Sequence, residues 1–156
     1  MVTLGLLAGC DDNNTTPENK PLTMTILHIN DHHSHSEEDL VYIALGADTY
    51  EMTSGGFPRV VQAFEDLASA ATPNVLKLHS GDTITGTLYY TLFQGQTDAD
   101  MMNEVCFDAF ALGNHELDSS DSGLKTFLDF LNPEDNATCP TTPALAANIE
   151  PEEGTP

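Results

Sequence analysis

The feature that most limits what this chain can fold into is an alternation of two periodicities. Segments 23–30 (TMTILHIN), 74–80 (NVLKLHS), the apolar 107–112 and 143–149 (PALAANI) read as strands. Between them lie stretches with helical spacing. Phe57, Val60, Val61, Phe64, Leu67, Ala68 and Ala71 repeat on one helical face after Gly55-Gly56. Pro58 suits the first turn of that helix, where its missing N–H costs nothing. Thr97-Asp98-Ala99-Asp100 reads as a second helix start, with acidic groups at the positive end of the dipole and Met101, Met102 and Val105 as the inner face. Leu124, Phe127, Leu128 and Leu131 mark a third helix, ended near Asn132-Pro133. Strands alternating with helices predict an α/β fold with mostly parallel pairing. Segment 35–54 shows no clear period and is expected to be a loop with one short element at most.

Each of the first three strands is followed at once by a polar cluster. These are Asp31-His32-His33, then Gly81-Asp82, then Gly113-Asn114-His115-Glu116 with Asp118 two residues on. In open α/β sheets, ligands gather beyond the carboxyl ends of the strands. Three clusters remote in sequence are therefore expected to converge on one crevice. Their residue types suit a metal. Asp31 and His33, two apart, project to the same side of an extended chain. Asp82 offers two oxygens and can bridge two cations, and Asn114 offers a neutral carbonyl oxygen. A mixed oxygen and nitrogen set suits Zn, Mn, Fe or Co and disfavours Cu(I). Gly81 and Gly113 permit sharp turns at the metal. His28, His32, His35 and His79 are not read as ligands; His28 and His79 fall inside strands, as packed or supporting side chains. Any one member has an ordinary explanation, since Asp after a strand commonly caps a turn or helix. The combination carries the reading.

Charge narrows the partners. Four Lys and Arg against 25 Asp and Glu give a formal net charge of -21. A nucleic acid polymer would be repelled, and no basic patch is available to hold it. Chemistry on a phosphate must draw on local positive charge, for which a bound metal is the obvious source. The remaining acidity reads as a solvated surface suited to a salty medium.

The N-terminus ends an apolar run in Leu6-Leu7-Ala8-Gly9-Cys10, and polar sequence follows immediately. A membrane span needs about 20 apolar residues, so residues 1–10 read as part of a secretory signal segment. Leu-Ala-Gly-Cys resembles the bacterial lipoprotein box, in which the Cys is lipidated, although a basic region before it is missing. On that likeness Cys10 is a lipidation site, 11–21 is a flexible tether and 22–156 is the domain. The expected location is the cell envelope, periplasm or cell surface, with contact to the membrane only through the lipid.

Asn30-Asp31-His32-His33-Ser34-His35, Ser80-Gly81-Asp82 and Ala111-Leu112-Gly113-Asn114-His115-Glu116-Leu117-Asp118 resemble the first three metal-site motifs of the calcineurin-like metallophosphoesterases. The family pattern is D-x-H, then G-D, then G-N-H-E. The flanking Met102-Asn103 and Phe107-Asp108-Ala109-Phe110-Ala111-Leu112, with Gly55-Gly56 ahead of a helix, resemble the 5'-nucleotidase branch. The resemblance implies the first half of a double-sheet α/β/β/α sandwich and a site for two divalent metal ions. Asp31 and His33 would hold the first metal, Asp82 would bridge, and Asn114 would join the second. His115 would be catalytic, donating to a phosphate oxygen or leaving group, with Asp118 orienting it; the alternative is that His115 binds metal and Asn114 shapes the turn.

The expected substrate is a nucleotide or other small phosphate ester. Relatives acting on cyclic nucleotides, sugar nucleotides or thiosulfate esters share the motifs, and a non-catalytic metal-binding surface lipoprotein is the reading from a different class. The family draws further His ligands from later sequence, and this chain has no His after His115. As a fragment, 1–156 is expected to fold poorly alone and to show negligible turnover. With Cys10 lipidated, Cys106 and Cys139 remain as an even pair in an oxidising compartment. If the third and fourth strands lie close, as the family's fold implies, those two can form a disulfide, with Cys106 opening the third strand.

Overall fold

The structure is a computed structural model that describes residues 21–72, 74–134, 139–150, 152 and 154. Cys10, the signal segment and all but Pro21 of the tether lie outside the described residues. The elements run β1 (Thr25–Ile29), β2 (Glu38–Leu45), β3 (Asp48–Gly55), α1 (Phe57–Ala70), β4 (Val75–His79), α2 (Leu88–Phe93), α3 (Gln96–Val105), β5 (Ala109–Ala111), a 3-10 turn (His115–Leu117), α4 (Ser120–Leu131) and β6 (Ala144–Leu145). β1, β4, β5 and β6 form one parallel sheet in that spatial order. This is the α/β arrangement that the alternation predicts.

Register does the work that the site needs. Ile29 pairs with His79, and His79 with Phe110, so three strands stop at nearly the same level. Pairing continues past the strand ends, where the Ser80 N–H donates to the Ile29 carbonyl at 2.9 Å and the Asp31 N–H to that of Gly81 at 3.0 Å. The loops that follow the strands are thereby set side by side.

Alternation along β1 sends Leu27 and Ile29 into the core and leaves Ile26 and His28 exposed. His28 is therefore not a packed strand residue as expected, whereas His79 on β4 is buried. The core joins Phe57 and Phe64 of α1, Ala99, Met102 and Val105 of α3, Phe107 and Phe110 near β5, and Phe127 and Leu131 of α4. Each fully buried Phe contributes about 1.5–3 kcal/mol relative to exposure. Pro58 does sit in the first turn of α1, behind Gly56 in a left-handed conformation (φ 83°).

Two expectations are corrected. Segment 35–54 is not a loop: β2 and β3, of eight residues each, form an antiparallel hairpin turned at Gly46-Ala47, with Gly46 at φ 69°. Val41, Ile43 and Leu45 share one face with Met52 and Tyr50, but Leu40, Tyr42 and Ala44 occupy the other, so β2 is apolar on both faces and shows no period of two in the sequence. Arg59 ties the base of the hairpin to α1, bonding the Gly55 carbonyl at 2.7 Å and pairing with Glu38 at 2.6 Å. The second correction concerns Cys106, which does not open the third strand. It caps the C-terminus of α3 in a left-handed conformation (φ 56°), and β5 begins three residues later at Ala109.

Cys106 and Cys139 are joined by a disulfide, with Cα atoms 5.4 Å apart and 33 residues between them in sequence number. Closing a loop of that size removes unfolded-state entropy corresponding to about 3–4 kcal/mol. Reduction, or Cys139→Ser, is expected to lower the melting temperature by an amount on the order of 10 °C. Mass spectrometry of unreduced protein showing two thiols, or a melting curve indifferent to reductant, would contradict the crosslink.

Candidate metal centre

The site is built on strained backbone. Asp31, His33, Ser34 and Asp82 all take left-handed conformations, with φ between 46° and 55°. Each such non-glycine residue costs about 1–2 kcal/mol, so the surroundings must over-determine it. A ladder between the loops does so in part. The His33 N–H donates to the Asp82 carbonyl at 3.2 Å and the Ser34 N–H to that of Thr83 at 2.9 Å.

The three clusters do converge. His33, Asp82 and His115 each offer a ligand atom, and these lie within 4.8 Å of one another. The His33 and His115 rings meet edge to face at 4.9 Å between centroids. Asp31 Oδ1 lies 3.9 Å from His33 Nε2, and its other oxygen accepts from the Asn30 amide. Asn114 is exposed and opens the 3-10 turn that carries His115. His33 and Asp82, both partly buried, offer a nitrogen and an oxygen that fit a divalent transition ion, with the His115 ring beside them.

His115 stands between two carboxylates. Its ring Nδ1 is 2.7 Å from Asp118 Oδ2, and its backbone N–H donates to Asp82 Oδ1 at 3.0 Å. The bond to Asp118 raises the imidazole above its ordinary pKa; desolvation opposes it as the next largest cause, and the charges of Asp118, Asp82 and Glu116 add to the rise. With Nδ1–H turned to Asp118, Nε2 is left to face the crevice.

Behind these side chains lies a residue that sequence reasoning left without a role. Glu116 is fully buried, and its carboxylate accepts three backbone N–H groups: Thr83 at 2.7 Å, Asp82 at 3.0 Å and Gly113 at 2.6 Å. It clamps the loop after β4 to the loop after β5. The two loops approach so closely that a Cβ on Gly81 (φ 92°) would lie 2.8 Å from the Ala111 carbonyl oxygen. One on Gly113 would run into the backbone and carboxylate of Asp82. Gly113 is required by this contact, not by a turn conformation.

His32 and His79 turn the other way. His32 Nδ1 is 2.9 Å from His79 Nε2, His32 Nε2 is 3.1 Å from Asp98 Oδ1, and Ser34 Oγ donates to Asp98 Oδ2 at 2.8 Å. Burial, reinforced by the neighbouring His32, pushes the His79 imidazole down to about 3, although the charge of Asp31 pulls upward. Neither ring belongs to the His33, Asp82 and His115 group. His35 pairs with Asp39 at 2.9 Å, on the surface.

Parallel strands whose ends bring His33, Asp82 and His115 together form a candidate metal centre. The calcineurin-like phosphoesterase family profile matches residues 24–148, and the chain belongs to that family. It is 43% identical over 82% of its length to a protein of Treponema pallidum named "Probable 5'-nucleotidase", covering 20% of that protein. It is 41% identical to the "NAD 5'-nucleotidase" of Haemophilus influenzae, over 86% of this chain and 21% of that protein. The solved structure of the Haemophilus influenzae NAD nucleotidase superposes with a TM-score of 0.74, at 41% identity, over 85% of this chain and 22% of that one. The chain thus spans about a fifth of the length of the curated relatives it matches.

Glu116→Ala leaves one buried and two partly buried N–H groups without their acceptor, the buried one alone costing about 1–3 kcal/mol. The expected loss is about 3–5 kcal/mol of stability, with the two loops parting. A denaturation midpoint within error of wild type would refute the clamp.

Proposed function

We propose that the protein carrying this chain hydrolyses phosphate esters of nucleotides outside the cytoplasm, and that this chain supplies its first metal-site loops and its proton donor. The observation that carries the reading is the meeting of His33, Asp82 and His115 at three adjacent strand ends. In this reading Asp31 and His33 hold one divalent metal, Asp82 bridges to a second, and Asn114 joins that second ion. Divalent ions, when bound there, supply Lewis acidity toward the phosphoryl oxygens and toward water.

His115 holds a proton on Nε2 toward the ester oxygen, with Asp118 fixing the ring through Nδ1. As a water oxygen bonds to phosphorus, its proton passes to solvent, the ester P–O bond breaks and the Nε2 proton goes to the departing oxygen. The raised imidazole keeps the donor protonated nearer to neutral pH than a free His would be. A purely metal-binding lipoprotein has no use for such a donor.

The Cys106–Cys139 crosslink supports an oxidising compartment. The Leu-Ala-Gly-Cys10 sequence supports a lipid anchor. Among the described residues no helix is long and apolar enough to cross a membrane. The nucleotidase names of the relatives support the substrate class.

Phosphate release from a 5'-nucleoside monophosphate by the full-length protein is expected to require a divalent ion and to stop with chelator. His115→Asn should lower kcat by about 10²–10⁴ while metal content stays intact, whereas Asp82→Asn should strip the metal. Loss of metal from His115→Asn in step with activity would make His115 a ligand instead.

A second test uses pH. A protonated donor is lost as pH rises through its pKa, and Asp118 is the largest cause of the upward shift. Asp118→Asn should therefore move the alkaline fall in kcat to lower pH. An unmoved alkaline limb would remove the pairing from the mechanism.

A further inference from the structure

Loop 31–34 turns its side chains alternately, and the two that leave the metal centre meet on one group. His32 is 8% exposed and Ser34 is fully buried. Both reach Asp98, which is itself fully buried, in the first turn of α3 and far along the chain. One carboxylate oxygen faces His32 Nε2 at 3.1 Å and the other accepts from Ser34 Oγ at 2.8 Å. On its other side, His32 meets His79, whose Nδ1 accepts from the Gly81 N–H at 3.1 Å.

The direction of every bond in this chain follows from one backbone group. An amide N–H can only donate, so His79 Nδ1 is bare and the neutral ring carries its hydrogen on Nε2. That hydrogen points at His32 Nδ1, which must then be bare. The His32 hydrogen is left on Nε2, pointing at Asp98. The His32–Asp98 contact is accordingly a neutral imidazole donating to a carboxylate, not an ion pair, and Asp98 is the terminal acceptor of two converging lines. A carboxylate serving only the helix dipole would not need both oxygens committed to another loop.

We propose that Asp98 is a positioning residue for the metal centre: through His32 and Ser34 it holds the left-handed loop that presents Asp31 and His33, and through His79 it ties that loop to Gly81-Asp82. The proposal rests on the reading of Asp31, His33 and Asp82 as metal ligands. It asks nothing of proton uptake or loss, because the hydrogens in the chain are fixed. Groups that orient ligands from behind are typically worth about 10–100-fold in metal affinity.

The test measures Mn²⁺ affinity of the full-length protein by calorimetry, beside the melting temperature, in wild type, Asp98→Ala, Asp98→Asn, Ser34→Ala and the core variant Leu131→Ala. Asp98→Ala should weaken Mn²⁺ binding by about 10–100-fold. Asp98→Asn should recover most of it, since its carbonyl accepts from His32 and its amide donates to Ser34 Oγ. Leu131→Ala should lose stability without losing affinity, which separates positioning from general destabilisation. Should Asp98→Ala fail to fold, Ser34→Ala removes one of the two lines and should still weaken binding by several-fold.

Nitrogen-15 NMR of His in the metal-free protein should show Nε2 protonated and Nδ1 bare in both His32 and His79. A proton on either Nδ1 overturns the proposal, as does Mn²⁺ affinity unchanged in both Asp98→Ala and Ser34→Ala, or lost equally in Leu131→Ala. Wild type that binds no Mn²⁺ overturns the metal reading and this inference with it, whereas binding that is indifferent to Asp98 and Ser34 overturns this inference alone.

Discussion

The structure hangs on the approach of two backbones, Gly81 against Gly113, with the Glu116 carboxylate lying across the seam. Strand register brings the loops after β4 and β5 to the same level, but register alone does not close them. Three N–H groups aimed at one buried carboxylate do, because each would otherwise be a desolvated donor without a partner. The same N–H groups belong to Thr83, Asp82 and Gly113, so fixing them fixes Asp82. The cost of removing water from Glu116 and the cost of the left-handed Asp82 are thus met by one set of bonds.

This gives the excess of negative charge a second aspect. A formal charge of -21 repels anions from most of the surface. Two of the carboxylates, Glu116 and Asp98, are fully buried and spoken for by backbone or side-chain donors. Asp82 stands with His33 and His115, and the exposed Asp31 lies beside His33. Position and partners, not net charge, separate carboxylates that brace the site from those that meet a cation there.

Much of this was legible from period and position. The four strands, three of the helices and the placement of polar clusters after strands follow from hydrophobic spacing and from the rule that ligands gather at strand ends. The hairpin was not legible. Its turn is Gly46-Ala47 rather than an Asn-Gly or Asp-Gly pair, and its strands face solvent, so burial does not impress a clean alternation on them. Asp98 and Glu116 were missed for the opposite reason: each has a sufficient local explanation. An Asp in the first turn of a helix looks like dipole compensation, and a Glu beside a catalytic His looks like a motif neighbour. Only the fold shows what lies opposite them.

Those two residues point to why the motifs are unbroken strings rather than scattered ligands. On a tight loop, adjacent side chains diverge. In Asp31-His32-His33-Ser34 the first and third face the crevice, while the second and fourth bond to Asp98. In His115-Glu116 the first faces the crevice and the second clamps the loops beneath. A ligand held in a left-handed conformation needs a neighbour that cannot let go, and the nearest place to find one is the next residue, pointing inward. The string D-H-H-S therefore carries two interlocked sets, one turned toward the candidate metal centre and one bonded to the buried Asp98. A substitution at an inward position therefore acts on the loops that carry the crevice-facing residues, and only through them on the centre.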